Sequence, residues 1–182
     1  PDVGGRKFSI ASKTDGALHR VPSFTQKHCV VYGDTFDASK VGIGYVCRKG
    51  LKVTMPNQDS FLILKIGERL SLYCVFDGHG IDGHVVSDFV KENLPKLLLK
   101  HPDLAEDPGK SFKASFEKMQ FLIEQATQLR LINATCSGTT ATVIMHVHTD
   151  NGLHVAHVGD SRAVLGKRPL SASSDVSAWK AK

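Results

Sequence analysis

The hydrophobic period of this chain changes from two to 3.6 and back to two, and few folds accommodate that order. Residues 61–66 and 70–76 are rich in β-formers and flank Gly67-Glu68-Arg69, which predicts a hairpin. Past Gly83, the residues Val85, Val86, Phe89, Val90 and Leu94 fall on one helical face. Pro95 should end or kink that helix near Asn93, because proline lacks an N–H and crowds the preceding turn. Asp107-Pro108-Gly109 reads as a turn, and a second helix over about 111–130 buries Phe112, Phe116, Met119, Ile123 and Ala126. From Thr139 to His148 the residues alternate and are β-branched, and Asp150-Asn151-Gly152 is a turn that leads into a further strand. That strand is interrupted at Gly159-Asp160. Strands, then two helices, then strands predict an α+β fold with antiparallel sheets.

The ends of the chain carry weaker signals. Residues 1–40 show no clear period and read as an N-terminal extension or irregular lead-in, with a first strand expected over 40–47. The main domain is then expected over 41–168, with an irregular Ser/Ala-rich tail over 169–182.

At 182 residues, 41% hydrophobic and 23% charged, the chain has the length and mix of one soluble globular domain. No apolar run approaches the roughly 20 residues of a membrane span. The first residues carry no secretory signal; an N-terminal lipid signal stays open. Near the N-terminus Arg6, Lys7, Lys13, Arg20 and Lys27 stand against Asp2 and Asp15, too sparse a stripe to predict nucleic-acid binding. Cys29, Cys47, Cys74 and Cys136 form no C-x-x-C pair, so a zinc site is not expected. Reduced thiols and the lack of a secretory signal in these residues predict an intracellular setting, cytoplasm or nucleus.

The densest chemistry lies in Val75-Phe76-Asp77-Gly78-His79-Gly80. An apolar strand delivers an Asp, whose oxygens suit Mg²⁺ or Mn²⁺, and glycines that let backbone approach an ion. The neighbouring His79 can move protons near neutral pH. His146, His148, His154 and His157 sit on two strands, and solvated histidines are the expectation there rather than a metal site.

Three further segments accompany this one. Pro56-Asn57-Gln58-Asp59-Ser60 lies upstream; Cys136-Ser137-Gly138-Thr139-Thr140-Ala141 and Val158-Gly159-Asp160-Ser161-Arg162-Ala163 lie downstream. Together, over about residues 40–168, the four motifs resemble those of the metal-dependent serine/threonine protein phosphatases of type 2C. The resemblance implies two antiparallel sheets packed as a sandwich flanked by helices, incomplete here on the C-terminal side. It implies two divalent cations, Mg²⁺ or Mn²⁺, bridged by Asp77, with the Gly78 carbonyl on one of them. Asp59 would help hold the metal-bound water network and Asp160 a further, weaker ion. A metal-activated water would attack phosphorus in line, and His79 would protonate the leaving seryl or threonyl oxygen. Ser161 and Arg162 would be structural, and His84, at a helix start, not catalytic. The implied partners are phosphorylated proteins; the oligomeric state is left open.

The chain also departs from the pattern. Gln58 stands where many relatives carry Glu, and Thr54 where a phosphate-binding Arg is usual, leaving Lys49 or Lys52 as stand-ins. Two later Asp-bearing motifs do not follow Gly166, and Asp175 resembles neither. The expectation is that they lie beyond this sequence. The alternative is a non-catalytic phosphatase-like binding domain or an inactive truncated form.

Overall fold

The computed structural model describes residues 7–13, 23–33, 41–51, 55–167 and 180–181. Its centre is a six-stranded antiparallel sheet in the order β2-β1-β3-β4-β7-β8. The strands are β1 (Lys7–Ser12), β2 (Cys29–Gly33), β3 (Ser60–Ile66), β4 (Leu70–Phe76), β7 (Ala141–Val147) and β8 (Gly152–Val158). A short pair, β5 (Gly78–Gly80) and β6 (Ser137–Thr139), continues from the ends of the central strands. A second short pair joins β9 (Gly166–Lys167) to β10 (Lys180–Ala181). Two helices, α1 (Gly83–Leu99) and α2 (Pro108–Gln128), complete an α+β fold.

The period-two residues build the core as expected. Leu72, Cys74 and Phe76 of β4 and Val143 and Met145 of β7 share one face of the sheet. They pack against Val86, Val90, Leu94 and Leu98 of α1 and Phe112 and Met119 of α2. Burial pushes the Cys74 thiol up to about 12, so it serves as a small hydrophobe. The turn at Gly67-Glu68-Arg69 sets Ile66 opposite Leu70, with Gly67 at φ 53°. Asn151, at φ 55°, makes the turn between β7 and β8.

On the opposite face, Ile10, Phe61 and Ile63 are covered by Cys47, with Ile43 and Tyr73 beside them. Farther along that face the rows Tyr73–Ile144–Val155 and Val75–Thr142–His157 run across three strands. There Val75 and Val155 are each 51% exposed and Leu153 is 46% exposed. Among the described residues, this half of the face is open.

Four local expectations are corrected. Residues 7–12 and 29–33, expected in an irregular lead-in, are strands β1 and β2, paired from Phe8↔Gly33 to Ser12↔Cys29. Residues 41–47 are not a strand; a single bridge, Gln26↔Arg48, is all the ladder found there. Ile43 and Cys47 gain burial by crossing over the sheet face instead of pairing within it, so their apolar character does not signal a ladder. Helix α1 runs through Pro95 to Leu99. A mid-helix proline costs about 3 kcal/mol, but continuing the helix buries Pro95 and Leu98, the latter alone contributing about 1.5–3 kcal/mol. Asp107-Pro108-Gly109 opens α2: the Asp107 carboxylate accepts from Lys110 N–H at 2.9 Å and proline takes the first helical position. Lys52, Thr54 and Asp175, together with most of residues 169–182, lie outside the described residues.

Candidate functional site

Phe76, fully buried, anchors the end of β4, and the next residue, Asp77, emerges exposed. Its backbone is fixed from both sides by one residue. Asp77 N–H donates to Thr140 Oγ1 at 3.0 Å, and Thr140 N–H donates to the Asp77 carbonyl at 2.9 Å. The Thr140 hydroxyl also meets the Ser161 hydroxyl at 2.7 Å. Thus the segments around Asp77, Thr140 and Ser161 are tied at one end of the sheet. Asp160 lies in that third segment and is exposed. Ser161 is thus a bonded link between β7 and the segment after β8, and Arg162 is exposed.

The glycines here are required by space. A Cβ on Gly78 would fall 2.4 Å from the Gly83 carbonyl oxygen and 2.5 Å from that of Gln58. Both are backbone atoms, so a substitution must push apart the Asp59 loop and the start of α1. Gly78→Ala is expected to lower stability by about 3 kcal/mol or more, read as a fall in urea midpoint at unchanged slope. Gly80, at φ +84°, pairs with Ser137 and leaves no room for a Cβ against the Cys136 carbonyl, 2.2 Å away. Between them, exposed His79 lies opposite Gly138, where a Cβ would come within 2.7 Å of its Nε2. The bare Gly138 thus gives the imidazole its seat.

Asp59 arrives from the loop before β3. Asp59 N–H donates to the Asn57 side-chain oxygen at 3.0 Å, which shapes the loop. Ser87 of α1 donates to the Gln58 carbonyl at 2.6 Å, and Gln58 Nε2 donates to the Gly80 carbonyl at 2.5 Å. Gln58 therefore clamps the two acidic loops to each other through its amide, a donor that Glu lacks at neutral pH. Lys27 donates to the Asn57 carbonyl at 3.2 Å and to that of Asp59.

The outcome is a pair of carboxyl groups in contact. Burial pushes the Asp59 carboxyl above its ordinary range, and the neighbouring Asp77 charge pushes it further. The Lys27 charge opposes these effects without cancelling them. Two hard carboxylates held together, beside a glycine whose backbone can be approached closely, are a donor set suited to Mg²⁺ or Mn²⁺. Among the described residues, no three His, Cys, Asp or Glu side chains gather into a cluster able to hold a metal ion.

The remaining candidates lie apart. His84 is in the first turn of α1. Lys49 is buried, and its backbone pairs with Phe24 and Thr25. The His146 and His148 rings are 4.3 Å apart, held by Asn151 and Ser71 respectively, while His154 and His157 lie on opposite faces of β8. Burial, and next the neighbouring His146, lower the His148 pKa. Cys136 is exposed just before β6. Sequence reasoning assigned no role to Lys27, Ser87 or Thr140. Thr140 stood within a recognised motif, but Lys27 is isolated in sequence from every acidic motif.

Comparison with known proteins agrees with this geometry. The family model for protein phosphatase 2C matches residues 47–174. The chain is 38% identical over 112 residues to probable protein phosphatase 2C 35 of Arabidopsis thaliana, covering 60% of this chain and 30% of that protein. It is 34% identical over 177 residues to probable protein phosphatase 2C 72 of the same plant, covering 89% of this chain and 52% of that one. Protein phosphatase 2C homolog 3 of Schizosaccharomyces pombe is 32% identical over 157 residues, covering 81% of this chain and 35% of the relative. The chain therefore spans about half or less of the length of these relatives. With a match across most of its length and its acidic loops brought together at one end of the sheet, the chain belongs to the protein phosphatase 2C family.

Proposed function

We propose that this chain carries part of the active centre of a Mg²⁺- or Mn²⁺-dependent phosphatase that hydrolyses phosphoserine and phosphothreonine in proteins. The observation that carries this reading is the Asp59–Asp77 contact, two carboxyl groups packed together by loops that leave no space for side chains at Gly78. Asp77, Asp59 and the Gly78 carbonyl would hold the cations, and Asp160 a further, weaker one. Cations bound there would neutralise phosphoryl charge and make water a better nucleophile. His79, exposed at the same turn, supplies the proton that the departing seryl or threonyl oxygen needs. The four free cysteines support an intracellular setting, cytoplasmic or nuclear. Among the described residues, no helix is long and apolar enough to cross a membrane.

One observation favours a second reading, a non-catalytic phosphatase-like domain: the described residues bring only two carboxyl groups into contact. Turnover of a phosphothreonine peptide by the full-length protein separates the two. Hydrolysis that requires Mn²⁺ and stops with chelator is expected; no hydrolysis at any Mn²⁺ concentration would support the binding domain.

A further inference from the structure

Behind the acidic pair lies a buried cation from a part of the chain that precedes the family match. Lys27 is 8% exposed, although lysine almost never buries its ammonium group without a purpose in packing or bonding. It stands between Gln26, which bridges to Arg48, and Cys29, which opens β2. Its own backbone N–H is fixed to the Cys47 carbonyl at 2.7 Å. From there its Nζ reaches the carbonyls on both sides of Gln58, those of Asn57 at 3.2 Å and of Asp59. A second buried lysine, Lys91 of α1, ties the same region together from the other side. Its Nζ donates to the Ser12 carbonyl at 2.6 Å and to Asp88 at 2.8 Å, and Asp88 in turn accepts from Ser60, the residue after Asp59. The loop bearing Asp59 is therefore gripped by Lys27 at its rear, by Ser87 at Gln58 and by Ser60 at its exit.

We infer that Lys27 is a positioning residue, and that the N-terminal segment carrying it forms part of the cation site by clamping the Asn57–Asp59 backbone so that the Asp59 carboxylate stays against Asp77. This rests on the reading of Asp59 and Asp77 as cation ligands. Two effects of Lys27 on a bound cation have opposite signs. Its positive charge repels a divalent ion, whereas its two hydrogen bonds hold a ligand in place. In this reading the clamp outweighs the repulsion, because two of the three Nζ–H donors are spent on the backbone of the ligand loop itself.

The test is calorimetric titration of the full-length protein with Mn²⁺ alone. Lys27→Met, which keeps the length of the stem and removes the donors, is expected to weaken Mn²⁺ binding about 10-fold, the range found when a partner behind a ligand is removed. Lys27→Arg, which can still donate to both carbonyls, is expected to stay within about 3-fold of the natural protein. In an Asp59→Asn background the Lys27→Met loss is expected to vanish, since the residue acts through Asp59. Unchanged or tighter binding by Lys27→Met would overturn the inference, as the charge alone would then be what matters. A loss that persists in the Asp59→Asn background overturns it as well, by showing a general effect on the fold. If Lys27→Met does not fold, Lys27→Gln is titrated in its place with the same expectations. Failure of the natural protein to bind Mn²⁺ would instead remove the functional reading itself, and the inference with it.

Discussion

Asp77→Asn in the full-length protein is expected to lower Mn²⁺-dependent phosphopeptide turnover by at least about 10³-fold. Charge stabilisation by bound cations is worth several kcal/mol, and each 1.36 kcal/mol is tenfold in rate, so loss of the carboxylate proposed to hold them should cost about that much. The amide keeps the size of the side chain, and the backbone lock to Thr140 does not involve it. The fold should therefore survive. Its metal-free stability should even rise, because Asp77 is a cause of the raised pKa of Asp59 and the substitution removes that repulsion. Steady-state kinetics at saturating Mn²⁺, with melting curves in chelator, check both halves. Undiminished turnover would show that the bridging carboxylate lies elsewhere. A large fall in melting temperature would show that Asp77 serves the fold.

Residues 1–182 on their own are expected to show no measurable turnover of a phosphothreonine peptide, with or without Mn²⁺. Phosphomonoester hydrolysis is among the slowest uncatalysed reactions, so catalysis must supply on the order of 20 kcal/mol. General acid catalysis, the role proposed for His79, supplies only ~10²–10⁴-fold. The remainder must come from positioned charge, since phosphoryl transfer offers a protein little covalent chemistry. The two carboxylates and one carbonyl proposed as ligands among the described residues are too few for two small cations that keep their waters unless several donors are arranged around them. An assay of the purified 182-residue chain against the full-length protein decides the point. Robust Mn²⁺-dependent turnover by the chain alone would mean that the site closes by another route, such as a second copy.

Much of the centre of this molecule could be read from its residues, because local chemistry and tertiary packing agree there. The alternation in β3 and β4, the turn at Asn151 and the apolar stripe of α1 each point the same way in sequence and in structure. The acidic loops were legible for a different reason: the segments around Asp59, Asp77, Thr140 and Asp160 together resemble the motifs of one family, and Gly78 and Gly80 have no room for a Cβ. The misreadings arise where burial comes from far away. Phe8 and Ile10 alternate too briefly to announce β1, and their pairing with β3 fixes them. Ile43 and Cys47 look like a strand because they are apolar, yet they lie across the sheet face. Pro95 argues against continuing α1, and only the packing of Leu98 overrides it. Lys27 could not be found from its neighbours, since its partners are backbone carbonyls about thirty residues away.

The order of strands also sets when the acidic pair can exist during folding. Strands β3 and β4 are joined by a three-residue turn and can zip early, but β4 finds its other neighbour, β7, only after both helices have been threaded between them. Closing so long a loop is entropically costly and slow compared with forming a hairpin or a helix. Thr140, which locks the backbone of Asp77, sits on the far side of that loop, immediately before β7. The turn at Asp77 is therefore expected among the last features to acquire its final shape. A lanthanide luminescence signal at Asp77 would then lag behind helix formation, reporting the slowest step of assembly and not the first collapse.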